Sequence, residues 1–277
     1  PVYNKKGYMV FVRGDRTITT SNATANETIL RSSGRIFHPV SNVPLVTNLG
    51  ANKFESVGNP YASAINFSND AGVLKSSNVQ KVFYVWDPKL GGSYGYGAYQ
   101  TFTKGVGADN DYYVSPGGGS YGPGGSVNNS IQSGQAFFVR TFGGSGSISF
   151  NENAKLNSSA PVFRSGFSNR SRTMKLRNNL YFISNGVAVL ADGVLSEFSR
   201  MLSADIDEMD VIKISNSSEN LSVSTLGYDL AVERRAEIRQ YDTIFYKLKQ
   251  LKQQPYMFEF ISTGLYRPGL QAFVEDL

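Results

Sequence analysis

Lys81-Val82-Phe83-Tyr84-Val85-Trp86, stopped by Asp87-Pro88, is a run of β-branched and aromatic side chains closed by turn formers. Such a run favours a strand, because branched and flat side chains pack well on a pleated surface and Pro cannot continue a ladder. The same grammar recurs outward from it. Tyr8-Met9-Val10-Phe11-Val12-Arg13 ends at Gly14-Asp15, Ala136-Phe137-Phe138-Val139-Arg140 ends at Gly143-Gly144, and Ser147-Ile148-Ser149-Phe150 follows. Toward the C-terminus the same reading covers Val211–Ile214, Leu221–Val223, Asp229–Glu233, Thr243–Leu248 and Tyr256–Phe260. Helix-length amphipathic runs are scarce. The best of them, Asp192 to Leu202, sets Val194, Leu195, Phe198 and Leu202 near helical spacing and is expected as a helix.

The fold class is therefore all-β, with two β-sandwich or jelly-roll-like domains in tandem. Residues 156–171 are expected to link them, being rich in Asn, Ser and Arg around Pro161. That leaves a first domain over 1–155 and a second over 172–277. The first contains a long Gly/Tyr-rich loop, 91–130. The wider stretch 91–146 holds 16 of the 28 glycines, and the core from Gly117 to Ser126 suits neither helix nor central strand. No Gly-Lys-Ser/Thr follows that glycine run, so it is a surface loop rather than a phosphate cradle.

Composition narrows the chemistry. Apolar residues at 40% and aromatics at 13% are enough for a real core, and no apolar run is long enough to span a bilayer. The chain opens on Pro1-Val2-Tyr3-Asn4-Lys5-Lys6, without initiator Met or signal-peptide apolar region, and reads as a segment of a longer polypeptide. Cysteine is absent, which removes disulfides, thiolate metal sites and cysteine nucleophiles. The single histidine, His38, excludes a multi-His zinc site and lies where a strand end runs into a turn. The net charge of +5 falls in the part up to Lys155, with 13 basic and 8 acidic residues, while the remainder has 14 of each. Scattered over that length it is a mild field, which argues against a nucleic-acid partner.

Two constellations can carry binding. Trp86 with Tyr94, Tyr96, Tyr99 and Tyr121 places flat side chains among glycines, able to stack on sugar rings or to cover a core. Tyr112 and Tyr113 belong to the same aromatic cluster. Asp205-Ile206-Asp207-Glu208-Met209-Asp210 gathers carboxylates at a density that suits Ca²⁺, with Asp205, Asp207 and Asp210 as ligands. Without an ion, such a cluster needs compensation from Lys213, Arg234, Arg235 or backbone N–H groups. An enzyme needs a proton-transfer pair; Asp87, Asp109 and Asp111 lie near the aromatic loop, but no spacing singles them out from ordinary turn residues.

Several phrases resemble, in order, a β-rich module of large Bacteroidetes surface proteins exported by the type IX secretion system. They are Val57-Gly58-Asn59-Pro60-Tyr61-Ala62, Tyr84-Val85-Trp86-Asp87-Pro88, Ile131-Gln132-Ser133-Gly134-Gln135-Ala136, Asp205-x-Asp207-x-x-Asp210, Leu230-Ala231-Val232-Glu233-Arg234-Arg235 and Phe273-Val274-Glu275-Asp276. The resemblance implies export, an extracellular or outer cell-surface location, and a place before a C-terminal sorting module. It supplies no catalytic residues. Asp242-Thr243-Ile244 is also similar to the Asp-Ser/Thr-apolar O-glycosylation motif of these bacteria. The expected function is a non-catalytic structural or adhesive region of a secreted surface protein. The alternatives are a carbohydrate-binding region using the loop aromatics and an accessory domain of a glycan-processing enzyme. Expected partners are neighbouring domains of the parent chain, with glycans or host and cell-surface proteins beyond them, and no membrane insertion.

Overall fold

Val82 to Asp87 do form a strand, and its neighbours bury it on both faces, which explains why its apolar run does not alternate with polar residues. The computed structural model describes residues 6–10, 12, 14–19, 29, 31, 33–37, 45–92, 96–106, 112–117, 129–157, 173–266, 268–269 and 271–276. Among these the protein is all-β, with one short 3₁₀ turn at Glu152–Ala154 and no α-helix.

Residues 45–157 hold ten strands: β1 (Leu45–Leu49), β2 (Phe54–Gly58), β3 (Ile65–Asn66), β4 (Val73–Lys75), β5 (Val82–Asp87), β6 (Ala98–Lys104), β7 (Tyr112–Ser115), β8 (Ser130–Ile131), β9 (Ala136–Arg140) and β10 (Gly146–Phe150). They make an antiparallel sheet in the order β2-β9-β5-β6-β7, a three-stranded sheet β1-β10-β4, and the short pair β3-β8. Phe83 and Val85 of β5 turn toward the three-stranded sheet, into a core with Phe67, Phe102, Phe137, Ile148 and Phe150. Phe83 and Phe102 stack at 4.7 Å, and burying a ring of this size is worth about 1.5–3 kcal/mol.

Residues 173–266 hold β11 (Met174–Ser184), β12 (Val187–Phe198), β13 (Val211–Ile212), β14 (Asn220–Thr225), β15 (Tyr228–Arg235), β16 (Tyr246–Lys249) and β17 (Tyr256–Thr263). They form one sheet in the order β16-β14-β15-β12-β11-β17, with β13 added on β15 and β12 parallel to β15. The sheet curls into a half-barrel: Tyr246 on one edge strand lies 6.2 Å from Phe260 on the other. Leu180, Val194, Leu221, Val223 and Leu230 fill its inside.

The other face of β5 looks toward this half-barrel. Val82 and Tyr84 join Tyr113, Leu195, Val211, Ala231 and Val232 in a second core, with Phe54, Tyr99 and Phe138 packed around it. The five-stranded sheet is thus the middle of three layers.

Three expectations are corrected. The predicted helix at Asp192–Leu202 is strand as far as Phe198, in β12, where Leu190 to Phe198 are all buried, so the strand has no solvent face and its apolar spacing imitates a helix. Of the predicted strand over 8–13, the described residues 8–10 and 12 are not strand. The Gly/Tyr-rich stretch 91–130 contains β6 and β7, since the Tyr, Thr and Phe side chains of Ala98–Lys104 and Tyr112–Ser115 gain ladder bonds and burial that outweigh the flanking glycines. Residues 118–128 of its core lie outside the described residues.

Candidate functional site

Trp86 sits half-buried on β5. Its ring meets Tyr99 of β6 edge-on at 4.9 Å, and Tyr99 meets Phe138 of β9 at 5.6 Å. Gly97, at φ +73°, lies against the indole so closely that a Cβ would come within 2.7 Å of two ring carbons. The backbone of β6 thereby covers part of the ring, and only glycine fits there. The Tyr99 N–H donates to Asn216 Oδ1 at 2.8 Å, tying this aromatic row to the half-barrel. Tyr96 is different: it is 72% exposed just before β6. Tyr94 and Tyr121 lie outside the described residues. Tyr112 and Tyr113 are core residues, one on each face of the middle sheet.

The acidic stretch folds as a turn. Asp207 Oδ1 accepts the Met209 N–H at 2.7 Å. Buried Asp210 accepts the Asp207 N–H at 3.0 Å and the Arg234 N–H at 2.8 Å. Burial raises the Asp210 carboxyl above the usual range, and those two backbone donors hold it back. Asp205 is exposed. The predicted calcium set of Asp205, Asp207 and Asp210 is not assembled. Two of the three carboxylates are taken up by backbone N–H groups, and among the described residues no group of three or more His, Cys, Asp or Glu could hold a metal ion. Asp87 is likewise a turn residue, accepting the Lys89 N–H at 2.9 Å, while His38, Asp109 and Asp111 lie outside the described residues. Thr243 is exposed ahead of β16.

Sequence reading missed the joint between the middle sheet and the half-barrel, where the ionisable groups converge. Fully buried Glu197 of β12 accepts from Arg234 Nε of β15 at 2.6 Å and lies 3.5 Å from Lys175 Nζ of β11. Arg234 then crosses to the middle sheet, donating to Thr103 Oγ1 at 3.1 Å and to the Lys104 carbonyl. Lys175 places its ammonium 3.2 Å from the Tyr113 ring centroid. Arg177 donates to the Val114 carbonyl; burial pushes its guanidinium down to about 10, against the pull of Glu197. Neutral bonds continue the seam: Tyr84 O–H to the Ile212 carbonyl at 3.0 Å, Ser115 Oγ to the Gly193 carbonyl at 3.1 Å, and Gln80 Nε2 to the carbonyls of Glu208 and Asp210 at 3.0 and 2.7 Å. One signal for this was present. It was an ambiguous one: Lys175, Arg177, Asn179 and Tyr181 share one strand face opposite Leu176 and Leu180, the alternation of a half-solvated strand, and only the structure shows that the polar face is buried against the middle sheet.

At the margin of the joint a cleft of about 200 Å³ opens between the two layers. Asn78, Gln80, Lys81, Thr103 and Lys104 line it from the first layer and Glu208 from the second.

No curated protein and no solved structure matches this chain. A family model described as "Domain of unknown function (DUF8693)" matches residues 2–209, reaching through the middle sheet and into the half-barrel as far as the turn before β13. The chain therefore belongs to the DUF8693 family.

Proposed function

We propose that this chain is a non-catalytic structural or adhesive region of a large secreted protein held at a cell surface. The observation that carries the reading is the joint: Glu197, Arg234, Lys175 and Arg177, the buried charges a catalyst would need free, tie one sheet to another. A catalytic carboxylate or base must reach a substrate, and the one carboxylate of this group, Glu197, is fully buried between Arg234 and Lys175. The ordered resemblance to exported Bacteroidetes surface modules supports the location. The test is to pull single molecules apart by their ends while assaying the same preparation on a panel of chromogenic glycosides and peptides. Expected are resistance to force that drops in Arg234→Met and no turnover. Turnover that disappears in Asp87→Asn overturns the reading.

A second reading, carbohydrate binding, is favoured by exposed Tyr96 beside the Trp86–Tyr99 row. On a glycan array, Tyr96→Ala is expected to lose any hit without a change in melting temperature, whereas Trp86→Ala lowers that temperature. A hit that survives Tyr96→Ala sinks it.

A further inference from the structure

We infer that the cleft at the margin of the sheet joint binds a small hydroxylated anion, of the chemical class of a single uronic acid residue. This goes beyond the structural reading and uses neither Trp86 nor Tyr96, so its failure leaves both readings above intact.

The charge comes first. Lys75, Lys81 and Lys104 lie close enough for Lys75 to feel the repulsion of the other two. Asp70 answers two of them, at 3.0 Å from Lys75 Nζ and 3.0 Å from Lys81 Nζ. Lys104 has no ion-pair partner among the described residues, and it lines the cleft with Lys81 and Arg234. Arg234 is answered by Glu197. Glu208, exposed, is the one carboxylate in the lining. The local balance favours an anion, moderated by Glu208.

Hydroxyl recognition rests on Gln80. This residue is 5% exposed, and its amide is oriented by the two carbonyls that its Nε2 serves. Gln80 lines the cleft, and its Oε1 is buried with no donor. A buried acceptor without a donor is costly, and a ligand O–H would supply the missing one. Asn78, lining the same cleft, adds a neutral polar group suited to a further hydroxyl. Size agrees: drug-sized pockets run to roughly 300–1,000 Å³, so about 200 Å³ suits a single sugar ring.

The experiment titrates glucuronate, glucose and sulfate separately into the ¹⁵N-labelled chain and follows amide shifts. Glucuronate is expected to give saturable shifts at Gln80 and Lys104, with glucose and sulfate each weaker. Lys104→Gln is expected to weaken glucuronate about tenfold, the effect of losing one charge-assisted hydrogen bond. Glu208→Gln is expected to tighten it. Both positions are solvent-facing enough for the variants to keep the parent melting temperature, which is measured alongside. The inference is overturned by an absence of saturable shifts with glucuronate, by equal affinity in Lys104→Gln, or by glucose or sulfate binding as tightly as glucuronate.

Discussion

Arg234 concentrates the energetics of the joint in one side chain. Its guanidinium meets Glu197 inside the half-barrel sheet and two acceptors, Thr103 Oγ1 and the Lys104 carbonyl, on the middle sheet; its N–H caps Asp210. A buried ion pair contributes little net stability over apolar residues of the same shape, because desolvation cancels most of the attraction. Removing one partner is another matter, since it leaves the other charge buried. Arg234→Met keeps length and volume but leaves Glu197 with Lys175, 3.5 Å away, and the more distant charge of Arg177. Urea denaturation is expected to show a loss of about 3–5 kcal/mol, and the double variant Arg234→Met, Glu197→Gln should recover part of it. A loss under about 1 kcal/mol for the single variant would mean that the apolar contacts alone hold the layers together.

At the scale of strands, the two edges of the half-barrel are guarded differently. β16 carries Lys247 and Lys249, which both reach Asp229 of β15 across β14, at 3.3 and 2.5 Å. Edge lysines discourage pairing with other chains. Partial burial pushes the Asp229 carboxyl up, but the two ammonium groups outweigh it and leave the pKa below the usual aspartate value of 3.8. A depressed carboxyl stabilises the fold above its unfolded pKa, and that contribution fades as pH falls through the folded one. The melting-temperature gap between the parent and Asp229→Asn is therefore expected to hold from neutral pH down to about 4 and to close below it. The gap is small, because solvent limits such a pair to about 1 kcal/mol or less. Asp192, Asp210 and Glu233, which burial shifts upward, act in the opposite direction in both proteins and cancel in the comparison. A gap that widened on acidification would contradict this account. Strands such as Val82–Asp87 and Tyr256–Phe260 were legible because their own side chains prefer the pleat. The β11–β12 hairpin was not, because β12 buries both faces and loses its alternation, while β11 carries a polar face that is buried rather than solvated. Its turn was written plainly: Asn185-Gly186, with both residues at positive φ, is a strong short-range hairpin signal. The joint was less legible still, since Thr103 and Arg234 meet across 131 residues and nothing local in either segment marks the other.

Across the whole molecule, the middle sheet has no solvent face of its own. One side packs on the three-stranded sheet through Phe83 and Phe102, the other on the half-barrel through Tyr84 and Tyr113. Stripping away residues 173–277 would open an apolar face bearing Phe54, Tyr84, Tyr99 and Phe138, and would leave Glu197 and Lys175 of the other part in water. Each part therefore loses something only its partner supplies, and an apolar face of that kind drives association. Residues 1–157 produced alone are expected to bind a hydrophobic dye and precipitate. Co-produced with residues 173–277 as a separate chain, they should purify as a one-to-one complex, while the intact chain melts in one transition. Two soluble parts, each with its own sharp melt and no affinity for the other, would make the joint a contact between independent domains. The distinction bears on function. A joint sealed by buried charge resists bending, so a ligand held in the cleft between Lys104 and Glu208 would be presented at a fixed angle to the rest of the parent chain, whereas a loose joint would leave it to swing.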